Sequence, residues 1–353
     1  MSLDISFIND NAALNKQCEQ WNSATVLALD TEFIRTDTFY PVPALLQIYD
    51  GKHCHLLDLT TLNDFSALSA ILTNPLIVKV LHSCSEDLEI FENLLKTLPT
   101  PIFDTQIAAA FLGFGFSVGY SRLVKAILDI DPAKDESRSN WLQRPLSPAQ
   151  VEYAALDVIY LYKVYLHLQQ LLNNTDKKIW VEQSHQEMLE NFHNNQNPEH
   201  YFHRFKSAWR LSADQQQMLF QLCLWREAEA RRKNKPRNRV MRDEILFQHA
   251  QQQTLPKGYA ALTQNEKLSC PEPEAPLPKT AGDIIKQLKQ HIEKTAERLN
   301  IAPEVLGRKK DLTAFVNSGI HHGNFQLPEA LAGWRKPLLE ESFLSIVTHW
   351  KNP

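Results

Sequence analysis

The 353-residue chain reads as an α/β half followed by an all-helical half. Three observations carry that reading. Short β-type runs recur through the first 200 residues and stop near residue 207. Charge divides at about the same point: residues 1–200 hold 13 Lys/Arg against 25 Asp/Glu (−12), and residues 201–353 hold 24 against 16 (+8), within a net charge of −4. Four prolines between residues 268 and 279 (Pro271, Pro273, Pro276, Pro278) then mark a linker between two helical stretches.

Composition excludes several classes. With 43% hydrophobic and 22% charged residues the chain is neither disordered nor fibrous. The longest apolar runs, such as residues 107–112, fall far short of the ~20 residues of a bilayer span, so no membrane partner is expected. Asp4 and Asp10, with no basic residue ahead of an apolar core, argue against a signal peptide and for a cytoplasmic protein. The five scattered cysteines form no CxxC pair, so neither a disulfide framework nor a zinc ribbon is expected.

The elements follow in order. Residues 25–30 form a first strand, and residues 44–49 and 53–59 form two more. Asp50-Gly51 between the last two is a hairpin signal. Residues 65–72 have helical spacing and end before Asn74-Pro75, and residues 76–82 form a fourth strand. A helix over 85–95 starts at Ser85 as N-cap with acids in its first turn. Asp104 caps a helix over 105–112, and another covers 121–128. Ser147-Pro148 opens a long helix to about residue 172. Polar residues 191–200 separate the halves. Helices are then expected over 214–232, 242–252, 281–299 and 338–350, the last starting just after Pro337.

Carboxylates stand at informative places. Asp30 and Glu32 lie two apart at the end of the first strand, so they share a face. Two such carboxylates repel unless a cation lies between them. Glu86, Asp87 and Glu89 follow the fourth strand at a strand-to-helix junction, where open α/β sheets collect ligands. Tyr153 and Asp157, four apart, share one face of the long helix. Alone, each group is as readily a solvated strand end, a helix-dipole pair or a half-buried hydrogen bond. Together they mark three elements able to converge.

The series Asp30-Thr31-Glu32, His82-x-x-x-Glu86-Asp87 and Tyr153-x-x-x-Asp157 resembles the DEDD exonuclease superfamily. The tyrosine four residues before the last Asp matches its tyrosine subclass; the histidine of the other subclass would occupy position 152, which is Glu. Longer strings resemble the ribonuclease D family over about residues 1–175: Ala28–Arg35, Phe39-Tyr40-Pro41, Ser85–Glu89, Phe103–Gln106, Glu136-Ser137-Arg138, Trp141–Leu146 and Glu152–Val158. The resemblance implies an RNase H-like α/β fold and a two-metal site using Mg²⁺ or Mn²⁺, with Asp30, Glu32, Asp87 and Asp157 as ligands. It also implies that Tyr153 positions the attacking water. Phe33 and Gln47 would touch the terminal nucleotide, although strand packing serves Phe33 equally. Arg138 and Arg144, beside Trp141, either contact phosphates or neutralise the acidic half. His53 and His55 read as ordinary strand residues, and the glycines at 113, 115 and 119 as turns.

In the basic half, Trp225-Arg226-Glu227, Ala230-Arg231-Arg232, Asn234 and Pro236-Arg237 resemble the start of an HRDC (helicase and RNase D C-terminal) module. Seven basic residues fall between 231 and 242. Arg231, Arg232, Lys235 and Arg237 are candidates for a phosphate-tracking patch rather than a solvated helix end. This module departs from the family in running quickly into the proline linker, as if shortened. The final stretch resembles a second HRDC-like module, with Gly333-Trp334-Arg335 as a match.

The expected organisation is an exonuclease domain over 1–205, an HRDC module over 206–267 and a second HRDC-like module over 280–353. The resemblance implies a 3′→5′ exoribonuclease releasing nucleoside 5′-monophosphates. Its implied substrates are tRNA precursors with 3′ extensions, and no obligate protein partner is implied. The alternatives are a DNA exonuclease of the same superfamily and a catalytically inactive RNA-binding protein. The absence of a Walker A lysine motif argues against an intrinsic motor.

Overall fold

The computed structural model describes residues 4–132, 136, 139–195, 197, 199–259, 268–273 and 275–348. Its first part alternates strands and helices: β1 (Ile5–Ile8), α1 (Asn11–Trp21), β2 (Val26–Ile34), β3 (Val42–Tyr49), β4 (Cys54–Asp58), α2 (Ser66–Thr73), β5 (Val78–Leu81), α3 (Ser85–Leu95), β6 (Ile102–Asp104), α4 (Thr105–Phe111), α5 (Tyr120–Leu128), α6 (Pro148–Asn173) and α7 (Lys177–Asn195). The rest is helical: α8 (Glu199–Phe202), α9 (Ala213–Lys233), α10 (Arg237–Val240), α11 (Asp243–Gln252), α12 (Ala281–Leu299), α13 (Pro303–Leu306), α14 (Lys309–His322) and α15 (Lys336–Thr348).

One six-stranded sheet runs in the order β1-β4-β3-β2-β5-β6. Strands β2, β3 and β4 form an antiparallel meander; β5 pairs in parallel with β2, and β6 with β5. The expected hairpin is the β3–β4 turn, where Gly51 has φ +93° and a Cβ would meet the Tyr162 hydroxyl at 2.8 Å. Glycine is therefore required there twice over. Because β2 and β5 are parallel and in register from Val26↔Val78 to Ala28↔Val80, both strands end at the same sheet edge. That edge sets the end of β2 beside the start of α3.

Residues alternate between two layers, as a pleated sheet dictates. Leu27 and Leu29 face a core with Leu14, Trp21, Leu68 and Leu88 from α1, α2 and α3. Ala28, Leu45 and Leu56 face α6, which is capped by a Ser147–Gln150 capping box with Pro148 in its first turn. This second core continues without a break into α12, α14 and α15 through Phe111, Trp334, Phe315 and Phe343. Trp180 stacks on Trp334 at 4.9 Å, and Lys177 Nζ donates to the Phe111 and Asn300 carbonyls. The C-terminal module thus shares its core with the sheet, whereas the module built on α9 and α11 has a separate core around Phe202, Phe220 and Leu246.

Some sequence expectations are corrected. Cys84, not Ser85, stands at the N-cap of α3, and no side chain caps it. Helix α15 begins at Lys336, which puts Pro337 inside the first turn, where its missing N–H is harmless. The polar stretch after residue 190 is helix as far as Asn195. Strand β1, helix α1 and helix α7 are not among the expected elements.

Candidate active site

Strand β2 presents Asp30 and Glu32 toward α6, and one turn beyond Tyr153 α6 supplies Asp157, which is buried. Carboxylate oxygens of Asp30, Glu32 and Asp157 all lie within 4.8 Å of one another. Asp87 stands apart from this trio at the start of α3. Thr31, on the opposite face of β2, donates to Asp87 Oδ1 at 2.5 Å. The middle residue of the Asp-Thr-Glu string therefore orients the fourth acid while its neighbours supply two others.

Burial raises every one of these acids, and neighbouring charges add to it at Asp30, Glu32 and Asp87. Burial first, then the charges of Asp87, Glu32 and Asp157, hold Asp30 well above the usual carboxylate range. Burial, then Asp157 and Asp87, pushes Glu32 up to about 9. Asp157 rises to about 7 through burial, against the hydrogen bond from Tyr153. Asp87 rises to about 7 through burial, partly offset by Thr31. Among the described residues none of the four has an ion pair with Lys or Arg; the nearby Arg35 goes to Glu86 and Glu89 instead. Four crowded hard-oxygen donors without a protein cation fit divalent ions of the Mg²⁺ or Mn²⁺ type.

The Tyr153 hydroxyl donates to Asp157, and burial and the Asp157 charge raise its pKa, so the phenol keeps its proton. Trp141 packs against its ring at 6.0 Å. Tyr120, which sequence reasoning missed, donates its hydroxyl to the backbone carbonyl of Asp157 at 2.5 Å and holds the helix from the other side.

The expected RNA contacts are placed less simply. Phe33 follows a β-bulge at Glu32/Phe33 and is half-buried at the end of β2. Gln47 is a correction: it has no exposed surface, so no nucleotide can touch it directly. Arg144 is another. Its guanidinium forms two bonds of 2.6 Å to the buried Asp58 and one of 2.8 Å to the Ala44 carbonyl, which occupies it structurally. Burial alone would raise Asp58, but these bonds and charges hold it below the usual range. Arg138 lies outside the described residues.

Most of the expected basic patch is also spent within the protein. Glu227, almost fully buried, takes both Arg231 and Arg237. Those two guanidiniums lie 5.1 and 4.8 Å from the Phe39 ring centroid, in the loop between β2 and β3. Asn234, left-handed at the end of α9 (φ +48°), accepts from the backbone N–H groups of Phe39 and Tyr40, both at 3.0 Å. Lys235 donates to the Asp37 carbonyl, and Arg232 pairs with Glu229. The run that reads as a grip for RNA thus docks the middle module onto the nuclease. Exposed cations remain nearby: Arg204 and Arg242 line a cleft of about 460 Å³ together with Arg226 and Arg237.

Comparisons with known proteins give the family and the fold. Residues 5–173 match a family described as 3′-5′ exonuclease, residues 215–272 an HRDC domain, and residues 282–343 the C-terminal HRDC domain of ribonuclease D. Ribonuclease D of Pseudomonas paraeruginosa is 41% identical, with 97% of each chain covered. The chain belongs to the ribonuclease D family. It is accordingly a ribonuclease D-type 3′-5′ exoribonuclease. The crystal structure of Escherichia coli RNase D, described as an exoribonuclease involved in structured RNA processing, superposes with a TM-score of 0.87 at 31% identity over the whole of both chains. The catalytic core of RRP6 from Trypanosoma brucei shares the fold over 71% of each chain, with a TM-score of 0.56 at 22% identity. Among the described residues no helix is long and apolar enough to cross a membrane.

Proposed function

We propose that this ribonuclease shortens the 3′ ends of structured RNA, tRNA precursors foremost, by metal-dependent hydrolysis that releases nucleoside 5′-monophosphates. The observation that carries the reading is the convergence of Asp30, Glu32 and Asp157, with no Lys or Arg paired to them among the described residues. Asp30, Glu32 and Asp157 would hold one divalent ion, with Asp30 shared and Asp87 supporting a second. Two such ions, when bound, supply an activated water and charge stabilisation of the phosphoryl oxygens. The protonated Tyr153 hydroxyl orients groups beside Asp157 by hydrogen bonding rather than acting as a base. Hydrolysis adds water oxygen to phosphorus and releases the 3′-oxygen of the penultimate nucleotide, which leaves a free hydroxyl on the shortened RNA. Trp141, buried behind Tyr153, keeps solvent from the rear of the site.

The test is digestion of a 3′-extended tRNA by wild type and Asp30→Asn, with Mg²⁺, Mn²⁺ or chelator. Stepwise loss of single 3′ nucleotides by wild type only with metal, and none by the variant despite retained RNA binding, is expected. Endonucleolytic cuts, or normal turnover by Asp30→Asn, would overturn the reading.

A further inference from the structure

Gln47 is the anomaly of the central sheet. It has no exposed surface, and both its amide oxygen and its amide nitrogen lack a hydrogen-bond partner. Buried polar groups are almost always paired, and an apolar residue of similar shape would avoid the cost. Its register is informative. Gln47 on β3 stands directly opposite Asp30 on β2. Directly opposed residues of an antiparallel pair share a face, with Cβ atoms about 5 Å apart. Of its neighbours on that face, Leu45 and Leu56 are apolar, Asp58 is taken by Arg144, and Tyr49 and Glu32 stand one position further along, so Asp30 is the directly opposed acceptor.

We infer that Gln47 is a positioning residue for the metal site, whose side-chain N–H donates, directly or through one buried water, to the Asp30 carboxylate when that carboxylate binds a divalent ion. This rests on the assignment of Asp30 as a metal ligand. Orphaned in the metal-free protein, the amide is ready for an acceptor whose charge and orientation the ion fixes. The same argument explains why a residue unfavourable to the metal-free fold occupies the middle of a core strand. Partners that orient a ligand typically change metal affinity by 10- to 100-fold.

The experiment measures two quantities in full-length protein. Gln47→Met keeps the volume and removes both polar atoms. Its Tm in chelator is expected to rise by about 2 °C or more, while Mn²⁺ affinity by isothermal titration falls about tenfold or more. Unchanged Mn²⁺ affinity in a folded Gln47→Met protein would overturn the inference. A fall in both affinity and metal-free Tm would also overturn it, because that pattern belongs to ordinary packing. A second measurement uses only wild type: the side-chain amide protons of Gln47 are expected to shift on Mg²⁺ addition, and a position unmoved at saturation would refute the contact. If wild type itself binds no divalent ion, the metal assignment fails. If wild type binds and Gln47→Met binds equally well, only the present inference fails.

Discussion

The crowded acids make the metal-free enzyme pH-sensitive in a direction opposite to that of ordinary salt-bridged carboxylates. Glu32 is pushed up to about 9 in the folded protein, against 4.5 for the free side chain. Between those values the folded chain holds a proton that the unfolded chain releases, so stability falls as pH rises through the window and the loss is complete above about 9. At pH 7 the chain has crossed roughly 2.5 pH units of that window, which at about 1.4 kcal/mol per unit is about 3–4 kcal/mol. Asp157 and Asp87 share the same repulsion, so the part removable at Glu32 alone is about 1–3 kcal/mol. Gln at this position is neutral in both states and removes that part. Glu32→Gln should therefore melt several degrees higher than wild type in chelator at pH 7. Its melting temperature should also vary less between pH 5 and pH 9. Added Mn²⁺ should stabilise wild type strongly and Glu32→Gln weakly, since the variant lacks a ligand. Scanning calorimetry at three pH values, with chelator or with Mn²⁺, reads all of this. A wild-type Tm in chelator that is flat or rises from pH 5 to 9, or a Glu32→Gln protein less stable than wild type in chelator, would refute the electrostatic account.

Other residues give sharper separations of role. Tyr153→Phe removes the bond to Asp157 and should lower kcat on the order of 10²-fold with KM little changed; steady-state kinetics on a short RNA decide it, and unchanged turnover dismisses the tyrosine. Arg144→Lys leaves the buried Asp58 without its two-pronged partner and should cost about 3 kcal/mol in urea unfolding, with RNA affinity of the folded protein preserved. A variant of normal stability and weak RNA binding would restore the phosphate-contact reading. The double variant Arg204→Ala/Arg242→Ala should flatten the salt dependence of tRNA binding by about one to two units of slope while dinucleotide hydrolysis stays normal. An unchanged slope would remove that cleft from the RNA path.

What was legible in the sequence was whatever local chemistry enforces. The helix start at Ser147-Pro148, the Asp104 cap, whose Oδ1 accepts from the Gln106 and Ile107 N–H groups, and the Asp50-Gly51 turn each act within a few residues, and each appears where expected. Strand period and helix period placed Asp30 with Glu32 and Tyr153 with Asp157 on common faces, while their convergence into one site was implied by the family resemblance. The missed elements carried weaker signals. Helix α1 buries Leu14, Cys18 and Trp21 at helical spacing, but in a stretch rich in Asn and Gln. Helix α7 packs Trp180, Val181, Met188, Leu189 and Phe192 against the cores, but the buried Ser184 and His185 interrupt that face and blur its helical period. Strand β1 is four residues long at the sheet edge, too short to show alternation.

The basic half posed a different problem, because charge is visible in a sequence while the partner of a charge is not. Arg231 and Arg237 look free until the fold sets Glu227 between them and Phe39 beneath them. The helical spacing of Glu227 and Arg231 is a local signal for one of those bonds. The contact with the loop between β2 and β3, nearly 200 residues away, has none. That contact gives the arrangement a functional sense. The loop joins the strand carrying Asp30 and Glu32 to the strand carrying Gln47, so the module anchored by Asn234 is fastened to the connection between two walls of the active site. The C-terminal module, by contrast, joins α4 and α7 through a core it shares with the sheet. Asp157 sits on a helix within that apolar layer, Asp30 and Glu32 sit on a central strand packed between the two cores, and a polar latch holds the loop that leaves that strand. The positive charge of the second half thus serves in part to build its own module against the loop between β2 and β3.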